Sequence, residues 1–277
     1  MNYRHIFHAG NFADVVKHIV LCRTILYLAR KQAPFAVIDT HAGAGTYDLA
    51  GAEAQKTGEA ARGIMRVLSA ENPPELLEPY LALVRNFVNA VTSLYPGSPL
   101  VAVRLLRSHD RLACIERQPE EAAKLRAILA PFRRARVIEG DGYAELKSLI
   151  PPPERRGLVL IDPPFEDEDE YEKLIRALRD AHARWPQGAY LVWLPVKDED
   201  NLARFSGELA SAAIRDTHML EWRGEPGLRE TALQKSALLL VSPPFALAGE
   251  IKTIMPWLMQ AMTGSLHAWS YARITSE

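Results

Sequence analysis

The sequence predicts an α/β fold on a mainly parallel sheet of seven strands, and three observations carry that prediction. The apolar run FAVID, residues 35–39, leads straight into a Gly-rich turn, THAGAG, at 40–45. Three later apolar runs each end in an acid, at Glu116, Asp141 and Asp162. The steps of 25 and 21 residues between those acids fit one strand and one crossover helix each.

The first element is a helix opening at Asn11, with Asp14 in its first turn and an apolar stripe of Val15, Val16, Ile19, Val20 and Ile25, ended by Pro34. Residues 35–39 then read as a buried parallel strand, because the run is uniformly apolar rather than alternating. From Asp39 to Glu116 the interval is 77 residues, far longer than one βα unit. Its middle, about 50–95, is apolar at helical spacing and reads as a helical subdomain inserted into the sheet. EEAAKLRAILA and YAELKSLI supply the next two crossover helices. A helix over 168–184, the strand AYLVWLPV, a helix over 199–213 and the strands THMLEWRG and SALLLVSPP complete seven strands. The whole chain, 1–277, reads as one domain with residues 1–10 as an N-terminal tail.

Composition excludes several classes. The apolar fraction of 48% is that of a globular protein. The two cysteines, Cys22 and Cys114, are too few for a disulfide framework or a four-cysteine zinc site, so a reducing cytoplasm is expected. No apolar run reaches the roughly 18 residues of a membrane span, and the first ten residues carry charge where a signal peptide needs an apolar stretch. A formal net charge of -1 leaves any nucleic-acid binding to local clusters. Two exist: residues 1–35 hold five Lys or Arg against Asp14 alone, and residues 104–136 hold nine against four acids. Either cluster also reads as a solvated helix face.

The chemistry concentrates at strand ends. Gly43 and Gly45 let backbone amides approach a ligand after the first strand. Asp48 stands where a dinucleotide fingerprint needs glycine, and no Gly-Lys-Ser/Thr follows for a triphosphate. Glu116 is placed to grip two ribose hydroxyls, and Asp141 with Gly142 to meet another part of a nucleoside cofactor. The plainer alternative for such acids is a helix cap. Asp162-Pro163-Pro164-Phe165 is the most specific motif. An adenine amino group is a poor nucleophile because its lone pair is delocalised into the ring. The Asp162 carboxylate and the Pro163 carbonyl are expected to accept its two N–H bonds, with the Phe165 ring stacked on the base. Ser242-Pro243-Pro244-Phe245 repeats the pattern with a weaker acceptor and is expected to be a decoy. His5, His8, His18 and His41 lack the complement of a zinc site, so no metal is expected. With Tyr3 and Arg4, the first of these histidines suit a basic, aromatic tail that touches cofactor and RNA.

YRHIFHAGNFADVVKH, DTHAGAG, YPGSP, DPPF and the C-terminal PWL together resemble the ribosomal RNA large subunit methyltransferase J family, over nearly the whole chain. The resemblance implies a Rossmann-like class I methyltransferase with an inserted helical subdomain, which moves a methyl group from S-adenosylmethionine to N6 of an adenine in 23S rRNA. It implies cofactor contacts at His18, His41, Ser98, Glu116, Asp141 and Gly142, a catalytic Asp162, and an RNA contact at Tyr3. His18 and Ser98 follow from the resemblance alone. Phe165 departs from the family, which more often has Tyr there. The competing enzyme readings are methylation of cytosine N4, DNA adenine or a protein glutamine. A noncatalytic RNA-binding protein would need neither Asp162 nor Glu116. No obligate protein partner is expected.

Overall fold

The computed structural model describes residues 5–167, 169–212, 214–225 and 233–275. Helix α1 (Phe12–Ala29) precedes strands β1 (Ala36–Asp39) and β2 (Thr46–Asp48). Helices α2 (Ala52–Thr57), α3 (Glu59–Arg62), α4 (Ile64–Ser69) and α5 (Glu78–Phe87) follow, then β3 (Leu94–Pro96) and α6 (Ser98–Leu105). Strand and helix next alternate: β4 (Arg111–Glu116), α7 (Pro119–Leu129), β5 (Ala135–Glu139), α8 (Gly142–Leu149), β6 (Gly157–Ile161), α9 (Glu170–Arg184), β7 (Ala189–Pro195) and α10 (Glu199–Ser211). Strands β8 (Thr217–Arg223) and β9 (Lys235–Val241), helix α11 (Leu247–Thr263) and strand β10 (Trp269–Arg273) close the described chain.

Helix α1 starts where its cap chemistry dictates. The Asn11 side chain accepts hydrogen bonds from the amides of Ala13 and Asp14, both at 2.9 Å. The helix ends at Ala29, short of the expected stop at Pro34, because residues 30–34 are exposed and supply no apolar face to continue it. Its buried face carries Asp14, Lys17 and His18 among the aliphatic residues. Arg23 holds both oxygens of Glu250, at 2.7 and 2.9 Å, and so pins α1 to α11.

The main sheet runs β10-β8-β9-β7-β6-β1-β4-β5. Strands β5, β4, β1, β6 and β7 are parallel, whereas β9 pairs antiparallel with both β7 and β8, and β10 with β8. All seven expected strands are in it. The eighth, β10, escapes sequence reading because WSYAR buries no face: its residues alternate only between exposed and half-buried. One core cluster covers the face under α1, α6, α7 and α11, and a second covers the face under α9 and α10.

A two-stranded clasp explains how the long interval before β4 closes. β2 and β3 pair antiparallel with Thr46 opposite Pro96 and Asp48 opposite Leu94, so the helices α2–α5 leave and re-enter the sheet at one point. The Gly97 amide donates to the Gly45 carbonyl at 2.9 Å. The start of α6 is thereby returned to the Gly-rich turn.

Candidate active site

Parallel pairing sets the stage. Asp39 lies opposite Cys114 of β4 and Leu160 of β6, and Glu116 opposite Glu139 of β5. The carboxyl ends of β1, β4, β5 and β6 therefore share one edge, at the point where strand order reverses, which is where open α/β sheets bind ligands.

Glu116 is partly exposed and already organises the loop: Oε2 accepts from the Gly43 amide at 2.8 Å and Oε1 from the Gln118 amide at 2.7 Å. Gly43 sits at φ +62°, and a Cβ there would fall 2.1 Å from the Tyr47 hydroxyl. Gly142 is tighter still toward backbone, since its Cβ would lie 2.3 Å from the Thr40 carbonyl and 2.9 Å from the His41 ring. Asp141 caps α8, its Oδ1 accepting from the amides of Tyr143 and Ala144, so the plainer of its two expected roles is present. The His41 Nδ1 lies 2.8 Å from the Thr40 hydroxyl, and desolvation lowers its pKa to about 4. Ser98, 7% exposed, reaches this edge through the clasp.

His18 is buried in α1 with Nδ1 2.9 Å from the Tyr95 hydroxyl, which lies 2.9 Å from that of Tyr80. Burial lowers its pKa to about 3, so the ring is neutral near pH 7. Asp39 is the unusual acid of the group. It is 1% exposed and neither carboxylate oxygen makes a hydrogen bond among the described residues. Desolvation, with the Asp162 charge beside it, pushes its pKa up to about 7, and the nearby Ser98 hydroxyl and His41 amide, short of full hydrogen-bond geometry, offset only part of that rise.

Asp162 closes the site at the end of β6. Its Oδ2 accepts from the Lys17 Nζ at 2.5 Å, and the same ammonium donates to Asp14 Oδ1 at 2.8 Å. Burial works to lower the Lys17 pKa, but the two carboxylates outweigh it and hold the group above its ordinary value. Asp14 in turn accepts from His5 Nε2 at 2.9 Å and from the Gly10 amide at 3.0 Å. Burial opposes its ionisation, yet His5 and Lys17 hold its pKa well below the usual range. His5, Asp14, Lys17 and Asp162 thus form one chain of contacts from the N-terminal segment to the DPPF turn. Asp14 and Lys17 escape sequence reading. Their one signal is a lysine three residues after an aspartate inside an otherwise apolar stripe, where an unpaired charge would not be buried.

Pro163 is buried behind Asp162. Phe165 differs from the expectation that its ring faces a base. It stands at φ +48°, is 9% exposed, and packs its ring against Tyr171 and Trp193, with centroids 5.0 and 5.9 Å away. The apolar surface offered by those two rings draws it inward. Tyr3 and Arg4 lie outside the described residues.

The residues present fit a cationic nucleoside cofactor. Glu116 spends one lone pair per oxygen on the loop and keeps others for hydroxyl donors. Asp39 holds a buried carboxyl group with no well-formed hydrogen bond among the described residues, suited to a cation. Gly43 and Gly142 keep open a cradle that side chains would fill.

A parallel sheet extended by the antiparallel β9, with a Gly-rich turn after β1, acids on successive strand ends and DPPF after β6, defines a class I methyltransferase. The family described as "Ribosomal RNA large subunit methyltransferase D, RlmJ" matches residues 32–275. The chain belongs to this ribosomal RNA large subunit methyltransferase J family, whose members use S-adenosylmethionine. It is 37% identical to the ribosomal RNA large subunit methyltransferase J of Escherichia coli K12, over 97% of each chain. To the Haemophilus influenzae protein of the same name it is 35% identical over the full length of both. A crystal structure of a Legionella pneumophila protein superposes with a TM-score of 0.87 at 33% identity, covering 98% of this chain and 99% of that one.

Proposed function

We propose that the protein transfers a methyl group from S-adenosylmethionine to the N6 amino group of an adenine in 23S rRNA, with Asp162 meeting the reacting nitrogen. One observation carries this reading: an aspartate at the end of β6 whose Oδ2 is fixed by a buried lysine, while its side chain keeps 14% exposure toward the catalytic edge. S-adenosylmethionine supplies an electrophilic methyl group on a sulfonium centre.

The chain's own residues do the rest. Glu116 receives ribose hydroxyls, His18, His41 and Ser98 line the cofactor cradle, and Gly43, Asp141 and Gly142 shape it. The Asp162 oxygen not engaged by Lys17 accepts one N–H of the adenine amino group, and the Pro163 carbonyl accepts the other. Both acceptors favour the tetrahedral nitrogen whose lone pair attacks, and the carboxylate stabilises the positive charge that develops there. Lys17 acts as a positioning residue, because it fixes the carboxylate's rotamer and balances its charge until the base arrives. Phe165 anchors the turn from below rather than stacking on the base. The target base leaves its helix to reach this pocket, and Tyr3, Arg4 and His5 receive it from the tail side. The helices between β2 and β3 form the inserted subdomain of a single-domain enzyme that works in the cytoplasm on its rRNA. No helix among the described residues is long and apolar enough to cross a membrane.

Mass spectrometry of nucleosides, after unmodified 23S rRNA is incubated with the protein and labelled S-adenosylmethionine, checks the proposal directly. Labelled N6-methyladenosine is expected. Label in N4-methylcytidine, or in no nucleoside, would overturn it.

A further inference from the structure

The parallel topology that gathers acids at the catalytic edge gathers cations at the opposite one. The segments entering β1, β4, β5 and β6 (residues 30–34, 104–111, 131–136 and 151–156) hold ten Lys and Arg against two acids, Asp110 and Glu154. These segments form one surface. Arg107 donates to the carbonyls of Ala29, Lys31 and Ala33, Arg156 to those of Leu28 and Ala33, and Arg134 to that of His109. Both acids are engaged within it, Asp110 by Arg107 and Glu154 by Arg111. Arg30, Lys31, Arg133, Arg134, Arg136 and Arg155 are exposed, and none has a carboxylate partner among the described residues. Arg104 lies over the faces of Phe87 and Phe132, 5.6 and 5.4 Å from their centroids, which holds a further guanidinium without neutralising it.

We propose that this edge is a second rRNA-binding surface, which grips phosphates remote from the target adenine. The inference rests on the reading of the substrate as rRNA. A chain of net charge -1 that binds RNA must concentrate its cations. The catalytic edge is dominated by acids: Asp39, Glu116, Asp141 and Asp162 lie there, followed by Glu166 and Asp167, against the exposed Arg117 and Lys197 and a Lys17 buried between two carboxylates. Strands of about five residues put the two edges roughly 17 Å apart. Phosphates held at the far edge therefore belong to RNA that reaches around the enzyme, and the contact adds affinity without touching the reacting base.

The test compares a domain-sized 23S rRNA transcript with a short stem–loop carrying the target adenine, for wild type and for the triple variant Arg133→Ala, Arg134→Ala, Arg136→Ala. Titrated from about 50 to 200 mM salt, the variant should bind the large transcript about tenfold more weakly, with a log K against log salt slope shallower by about two. Stem–loop methylation and cofactor affinity should not change. Arg30→Glu with Lys31→Glu, in a neighbouring segment, should act in the same direction and guards against local distortion. Wild-type affinity and slope in both variants would overturn the proposal. So would an equal loss on the stem–loop, which would put these arginines at the target. If the wild-type protein methylates neither RNA, the substrate reading itself fails and this surface falls with it.

Discussion

The turns at residues 162–165 and 242–245 share Pro-Pro-Phe, and each follows a strand whose last five residues are all buried, yet they face opposite ways. β6 and β7 are parallel, so Asp162 leaves β6 at the catalytic edge. β9 runs antiparallel to β7, with Ser236 opposite Pro195 and Val241 opposite Tyr190, which delivers Ser242 to the other edge. Their backbones differ as well: the left-handed residue is Phe165 in the first turn and Ser242 in the second. Phe165 is 9% exposed and Phe245 95%. A tetrapeptide acquires its role from the direction of the strand that carries it and from what waits at that end. For Asp162 that is Lys17.

The two phenylalanines give the largest contrast. Phe165→Ala removes a ring packed on Tyr171 and Trp193 and should cost about 3 to 5 kcal/mol in urea melts, the range for a buried Phe. Phe245→Ala should stay within about 0.5 kcal/mol. Equal costs would mean that the turns are equivalent after all. The acceptors come next. Asp162→Asn keeps the shape but loses the charge, so single-turnover methylation at saturating RNA and cofactor should slow by about 10² to 10³. Cofactor affinity should hold, and Ser242→Ala should leave the rate unchanged. Near-normal turnover for Asp162→Asn with a collapse for Ser242→Ala would reverse the assignment.

Much of the fold is legible in the amino-acid sequence. The seven strands, the crossover helices and the acids at strand ends follow from local periodicity and spacing, which one sequence displays. The choice of Asp162 over Ser242 rests on a seventh strand lying away from the cofactor acids, and the antiparallel register gives that its physical form. Ser98 comes only from family likeness, because its place depends on the β2–β3 clasp, a pairing of two three-residue strands too short to show a period. Lys17 and Asp14 stay hidden for a different reason. Their partners are each other and Asp162, 145 residues from Lys17, and a buried charge announces itself only once its counter-charge is located. β10 has no buried face to betray it.

The two edges also bury acids differently, and pH separates them. Asp39 and Asp110 are each 1% exposed. Asp110, at the far edge, accepts from the Arg107 amide, Nε and Nη2 and from the Phe35 amide, and these bonds overcome burial to hold its pKa below the usual value. Asp39 has no well-formed bonds of this kind among the described residues, only the weaker influence of the Ser98 hydroxyl and the His41 amide, and burial takes it to about 7. The folded protein therefore holds a proton on Asp39 that the unfolded chain, titrating near about 3.9, has released. Stability falls as pH rises between those two values and is flat above the higher one. Asp39→Asn removes that slope. Because the buried amide's own desolvation costs about 2 to 3 kcal/mol at every pH, the variant should be about 2 kcal/mol less stable than wild type at about pH 4, draw level near about pH 6, and lead by about 1 to 2 kcal/mol at about pH 8. Asp110→Asn should instead lose a constant amount from about pH 5 to 9, since its carboxylate is ionised in both states across that window. Thermal melts at unit pH steps read both curves. Parallel curves for Asp39→Asn and wild type would show that Asp39 finds a partner in solution, and the contrast between the edges would then rest on the turns alone.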